Sequence, residues 1–230
     1  MVKRTVVVEK VVLESELSYK GIAVLHYKIE YPQFSGIYFQ RMLSELNMLY
    51  KARALTYQQA CMQQLFYDAS AQYDEAQAND YPFHMFEAYV TFEVTYNTDC
   101  TLSLYFDRYE FRGGAHGGTT RYSDTWNLQR ECCMLLCDYF ASSTNYKAYS
   151  IQTINNQIAA QVKSESGSYF DDYEKLVARY FNPRSFYLTM EGVVIYYQQY
   201  EIAPYASGIP VFTLPYENGC VIRPRCWQFG

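Results

Sequence analysis

The chain has 230 residues, half of them hydrophobic, enough for one large core or two small ones and too apolar for a disordered protein. Its formal charge is −5, from 19 basic and 24 acidic residues, with no basic run beyond Lys3-Arg4 and the spaced pair Arg223 and Arg225. Nucleic-acid binding needs a concentrated positive footprint, so no nucleic-acid partner is expected.

Tyrosine is the compositional outlier, with 26 copies. It favours pleated, half-buried surfaces and keeps a polar tip for water or a partner, so broad sheets with one face partly available are expected. No apolar run is long enough to cross a bilayer, and no membrane segment is expected. The start, Met1 to Val8, imitates a signal peptide until Glu9-Lys10 interrupts it, and Glu14 and Glu16 follow. Read that way, the chain is soluble, carries no export signal and sits in the cytoplasm. The seven cysteines, at 61, 100, 132, 133, 137, 220 and 226, are an odd set with an adjacent pair. They read as buried free thiols in a reducing compartment. Cys133-x-x-x-Cys137 could put two thiols on one helix face for zinc, but no partner pair accompanies them, so neither metal nor cofactor is expected.

Taken in order, Val6 to Leu13 is β-branched and reads as a strand. Leu17 to Tyr31 alternates, with Ala23, Leu25, Tyr27, Ile29 and Tyr31 on the apolar face, and Pro32 is expected to end it. From Ile37 to Ala78 the period becomes helical, giving one long amphipathic helix or two with a break near Ala54 to Thr56. Asn79-Asp80-Tyr81-Pro82 stops it. Two aromatic alternating runs, Phe83 to Tyr96 and Thr101 to Phe111, flank Asn97 to Cys100 as a hairpin.

Next comes Arg112-Gly113-Gly114-Ala115-His116-Gly117-Gly118, with four of the eleven glycines and one of three histidines. Such density makes a tight, shaped loop. Thr119 to Leu128 is a further strand. Cys133, Leu136, Cys137 and Phe140 suggest a short helix, Tyr146 to Lys163 a second and Tyr169 to Tyr180 a third. Phe186 to Met190 and Val193 to Tyr200 flank Glu191-Gly192 as a tight hairpin, and Ile209 to Leu214 is the last strand. Strand, helix and hairpin thus occur twice. The expected fold is α+β, in two similar lobes, each an antiparallel sheet packed against one or more helices. The lobes are residues 1–111 and 112–216, followed by an irregular tail at 217–230.

Three stretches in order carry a family resemblance: Tyr31-Pro32-Gln33-Phe34-Ser35-Gly36, then Gly113-Gly114-Ala115-His116-Gly117, then Glu191-Gly192-Val193 with Tyr200-Glu201-Ile202-Ala203-Pro204-Tyr205-Ala206-Ser207-Gly208. Across roughly residues 6–216 the chain resembles the RsiV-like and PdaC-like bacterial family. That family includes the extracytoplasmic part of a lysozyme-sensing anti-sigma factor and the accessory domains of a peptidoglycan deacetylase. The resemblance implies an α+β fold and an extracytoplasmic setting. It also implies binding of a protein ligand of the lysozyme type. With no membrane span, sigma-binding segment or catalytic deacetylase domain read in the sequence, neither regulated cleavage nor deacetylation is carried over.

Candidate residues are Arg112, Gly113, Gly114 and His116 in the glycine loop, and Tyr200, Glu201 and Tyr205 in the proline corner. His116 could act as a general base with Glu110, Asp124 or Glu201, or could bond backbone and pin its loop. Two rings and a carboxylate in Tyr200 to Tyr205 suit a sugar or a protein loop. The same residues could form a rigid corner, with Tyr205 bonded to backbone and Glu201 capping a helix or pairing with Arg112. Trp126 and Trp227 read as packing residues. The expected function is a non-catalytic binding module for a protein or cell-envelope glycan. The alternatives are a cell-envelope hydrolase built on His116 and an intracellular interaction domain.

Overall fold

The computed structural model describes residues 5–216 and 219–226, so Trp227 lies outside the described residues. Strands β1 (Val7–Tyr19), β2 (Ile22–Ser35), β3 (Phe86–Thr98), β4 (Thr101–Phe111), β5 (Gly118–Asn127) and β6 (Cys132–Cys133) hydrogen-bond in that order in one sheet. A second sheet holds β7 (Phe186–Leu188), β8 (Gly192–Tyr196) and β9 (Val211–Pro215). The helices are α1 (Gln40–Ala60), α2 (Phe66–Asn79), α3 (Tyr146–Lys163) and α4 (Tyr173–Tyr180). This is the expected α+β class. The chain divides into two compact units that interleave in sequence. The first holds residues 6–92 and 106–120; the second holds residues 93–105 and those from 121 onward.

In the first unit, β1 and β2 form an antiparallel hairpin whose turn is Lys20-Gly21, with φ of 51° and 81°. Two positive φ values in a two-residue loop match the right-handed twist of the strands it joins. Lys20 tolerates that conformation while its ammonium pairs with Asp74 at 2.7 Å. Pro32 does not end β2. It pairs opposite Lys10, and the ladder with β3 covers only Leu25 to Ile29, so no β3 partner needs the N–H that proline lacks. That β2–β3 ladder is parallel, because the helical segment between the two strands makes the crossover such a pair requires.

No break occurs near Ala54. Instead α1 runs through a π-helical turn, Cys61–Leu65, into α2. The reason lies in the stripe Tyr57, Cys61, Leu65, Ala69. A strict four-residue spacing drifts by about 40° per step on an α-helix, and a wider turn takes up the drift. Cys61, Leu65 and Ala69 all stay buried as a result. Leu46 and Tyr50 of α1 and the β2 side chains Leu25 and Ile29 are buried as well. Asp80, at φ 55°, closes the helix.

In the second unit, α3 spans the expected residues. Asn145 caps it, its side-chain oxygen accepting from the Ala148 N–H at 3.2 Å. Ile154 and Ile158 of α3, Val177 of α4 and Val193, Ile195, Phe212 and Leu214 of the second sheet share one core. The short helix expected around Cys133 is not there: Cys132 and Cys133 pair with Asn127 and Trp126 as β6, and Leu136–Tyr139 is one 3-10 turn. Trp126 is half-buried.

The cysteine reading needs two corrections. Cys100 and Cys226 form a disulfide with 5.7 Å between their Cα atoms. A separation of 126 residues hid the pairing from sequence spacing. Of the remaining thiols, Cys61 is buried but Cys133 and Cys137 are exposed. The inference of a reducing compartment therefore loses its basis. Among the described residues, no three His, Cys, Asp or Glu side chains converge as a metal set would. No helix of the described residues is long and apolar enough to cross a membrane.

Candidate functional site

The glycine loop joins β4 to β5 in the first unit. Gly113 has φ 73°, and a Cβ there would come within 2.6 Å of Gln72 Oε1 on α2. Gly117 is buried, and a Cβ there would meet the Tyr109 ring at 2.4 Å. Tyr109 in turn stacks on Tyr89 with 6.0 Å between centroids. These two glycines are needed for close approach. Gly114 and Gly118 face open space.

Arg112 sits at the start of the loop with its head occupied. Its Nη2 and Nε donate to Glu110 Oε2 at 2.8 and 3.2 Å, and its Nη1 lies 3.6 Å from Asp68 Oδ2. The other Glu110 oxygen accepts from the Tyr57 hydroxyl at 2.7 Å. Burial works against the Glu110 charge. The hydrogen bonds from Arg112 and Tyr57 and the fields of Arg112 and Arg108 outweigh it, and the carboxyl is held below its ordinary range. Close by, burial and then the Glu110 charge push the Cys61 thiol up to about 12. Glu110 is thus committed to an internal ion network and is no orienting partner for a catalytic base.

His116 is exposed, and its Nδ1 lies 2.9 Å from the carbonyl oxygen of Gly117. A carbonyl can only accept, so Nδ1 carries the proton and the ring is folded onto its own loop. Arg112 bonds Glu110 and Asp68 within the first unit. Glu201 lies in the second unit, where its Oε2 accepts from the Gln198 N–H at 2.7 Å.

The proline corner lies between β8 and β9 in the second unit. Tyr200 adopts φ 65° and is 54% exposed. Its ring stacks on Tyr205 at 5.8 Å and 29°. Between them in the chain, Ile202 and Ala203 are buried, and the Ile202 carbonyl accepts from the Phe170 N–H at 3.1 Å. Ser207 ties the far end by donating to the Ser168 carbonyl at 2.9 Å. Burial raises the Glu201 carboxyl, partly offset by the Gln198 N–H.

Gln198 was missed in the sequence. Its side-chain amide accepts from the Arg121 N–H at 2.9 Å and donates to the Arg121 carbonyl at 2.7 Å. A lone glutamine after a strand gives no signal of such a contact 77 residues away. The supporting residues Tyr57, Asp68 and Gln72 were also missed; they lie on the helix face that periodicity could place only relative to a core.

Fold and loops together define a two-unit α+β protein with one tight histidine-bearing glycine loop and one exposed aromatic corner. Residues 20–119 match the family model for deacetylase PdaC, and residues 138–217 match the DUF3298 model, a protein of unknown function. The two matches stand in tandem along the chain and agree with the PdaC-like and RsiV-like family that its sequence resembles. No curated protein matches it significantly. Among solved structures, a DUF3298 family member from Bacteroides fragilis NCTC 9343 aligns with a TM-score of 0.72 at 17% identity, covering 95% of this chain and 94% of that one. A DUF3298 family protein from Pseudomonas aeruginosa PAO1 aligns with a TM-score of 0.57 at 18% identity, covering 96% and 98%. At these identities the likeness concerns the fold.

Proposed function

We propose that the protein is a non-catalytic binding module that takes a cell-envelope glycan on the Tyr200–Tyr205 corner. The observation that carries this reading is the conformation of Tyr200. A bulky residue at φ 65° is an outlier that costs roughly 1–3 kcal/mol, and such strain collects at ligand clamps. Here the strain holds an aromatic face open to solvent beside a second ring, with Glu201 next to it in the chain. Sugars present apolar C–H faces that stack on rings and hydroxyls that donate to a carboxylate. The division of labour between the 1–111 and 112–216 segments belongs to this proposal, with the glycine loop a structural joint and the corner a recognition surface.

Calorimetric titration with muropeptide fragments tests it, with lysozyme titrated in parallel. Tyr200→Ala and Tyr205→Ala are each expected to weaken muropeptide binding by about tenfold while leaving the melting temperature near wild type. Tyr200→Gly, which relieves the backbone, should raise stability by about 1 kcal/mol and also lose affinity. No heat with muropeptides up to high micromolar, or unchanged binding in Tyr200→Ala, overturns the reading. Heat with lysozyme alone replaces the glycan by a protein ligand. Turnover of muropeptides that His116→Ala abolishes in a folded protein replaces the binding module by a hydrolase.

A further inference from the structure

We propose that the Cys100–Cys226 disulfide is a redox latch, which holds residues 219–226 as a strap over the core of the second unit and which a dithiol reductant opens. The strap is a short added strand. Val221 forms a bridge with Phe140, flanked by the Ala141 N–H donating to the Cys220 carbonyl at 2.9 Å and the Ile222 N–H donating to the Tyr139 carbonyl at 2.8 Å. Val221 is the strap's buried apolar side chain, at 2% exposure. Arg223 covers the Tyr216 ring at 4.8 Å and donates to the Met190 carbonyl at 3.1 Å. The far end is fixed by the disulfide, where the Cys100 N–H also points at Cys226 Sγ at 3.0 Å.

Two features make this a latch and not one more brace. The non-covalent hold is local, built on a single β-bridge with its flanking hydrogen bonds, the Arg223 contacts and the buried Val221 side chain, which puts the segment toward the low end of local stability. The closed state also carries an uncompensated cost beneath it. Among the described residues the Tyr216 hydroxyl is buried with no hydrogen-bond partner, next to the buried Tyr96 and Tyr139. Lifting Arg223 off that ring lets water reach a group that is now unsatisfied. Val221 is one side chain among many in the core it covers, which also holds Ile154 and Ile158 of α3, Val177 of α4 and Val193, Ile195, Phe212 and Leu214 of the second sheet.

Cys226 is half-exposed and Cys100 is 1% exposed, so a thiolate of the reductant attacks Cys226 Sγ. The S–S bond breaks and Cys100 leaves as the thiolate. The second thiol of the reductant then resolves the mixed disulfide. Two electrons and two protons pass from the dithiol to the pair, leaving two cysteines and one oxidised reductant. Once the strap lifts, Tyr139, Phe140 and Tyr216 lose their cover.

Hydrogen exchange read by mass spectrometry on the full chain, with and without dithiothreitol, tests the latch. In the oxidised protein a peptide linking Cys100 to Cys226 should be recovered. On reduction, exchange at the Ala141 and Ile222 amides is expected to accelerate about a hundredfold while Ile154 and Ile158 in α3 keep their protection. Cys226→Ser should reproduce the reduced pattern without reductant. Three results overturn the proposal: absence of the linked peptide, unchanged protection at Ile222 after reduction, or loss of α3 protection together with it. The last would make the bond a brace for the whole unit.

Discussion

Gln198 and Arg121 exchange two hydrogen bonds, side-chain amide to backbone amide, at 2.9 and 2.7 Å. The glutamine thereby takes the N–H and C=O of one β5 residue as a neighbouring strand would. Its own N–H is taken by Glu201, so one residue fixes both the strand and the start of the aromatic corner. Gln198→Leu leaves both Arg121 groups and no replacement donor or acceptor. We expect a loss of about 2 kcal/mol in urea unfolding. An unchanged midpoint would mean that water takes over both bonds.

The Tyr57 hydroxyl is expected to matter only while Glu110 is charged. With a folded pKa below the ordinary value, Glu110 contributes stability that is present above the unfolded carboxylate pKa. That contribution is lost as pH falls through the folded value. Tyr57→Phe should therefore cost about 1–2 kcal/mol at pH 7, a gap that closes as pH falls through the folded value. A gap of constant size across that range would assign the loss to packing.

Glu201 has the opposite sign. Burial raises its pKa, so the folded state favours the protonated acid, and stability falls as pH rises from the unfolded value through the folded one. Glu201→Gln keeps an oxygen for the Gln198 N–H and removes the charge. Its stability relative to wild type should rise between about pH 4 and pH 7, followed by thermal melts at each pH. A difference that does not move with pH contradicts the burial argument.

A strand glycine and a loop glycine should separate cleanly on substitution. A Cβ at Gly192 would sit 2.2 Å from the Leu214 carbonyl oxygen, on the strand it pairs with. Because backbone cannot step aside, Gly192→Ala should cost about 3 kcal/mol. Gly114 meets nothing within 4 Å and has no positive φ, so Gly114→Ala should leave stability unchanged or raise it by up to about 1 kcal/mol. Equal effects at the two sites would contradict the packing seen here.

Local chemistry was legible wherever a run of residues carried its own period. Helix α3 and the apolar face of β2 follow from spacing, because burial on one side of a helix or strand repeats along the chain. Lys20-Gly21 was not legible as a turn, since one residue of the pair is a poor left-handed former and only the paired strands and Asp74 hold it there. Pro32 misled for a related reason: proline stops a strand only where a neighbour needs its N–H, and the extent of the β3 ladder is not written beside it.

Arg112, His116, Tyr200, Glu201 and Tyr205 stood out in the sequence as unusual residues in unusual loops. Which of them bond inward and which face solvent depends on Glu110, Asp68, Gln198 and the Gly117 carbonyl. By itself the sequence determined the α+β class, the family and the two loops, because periodicity and turn chemistry act over a few residues. Only the tertiary structure decided the parallel β2–β3 pair, the Cys100–Cys226 bond and the inward turn of the loop charges, because each depends on which distant segments the buried cores bring together.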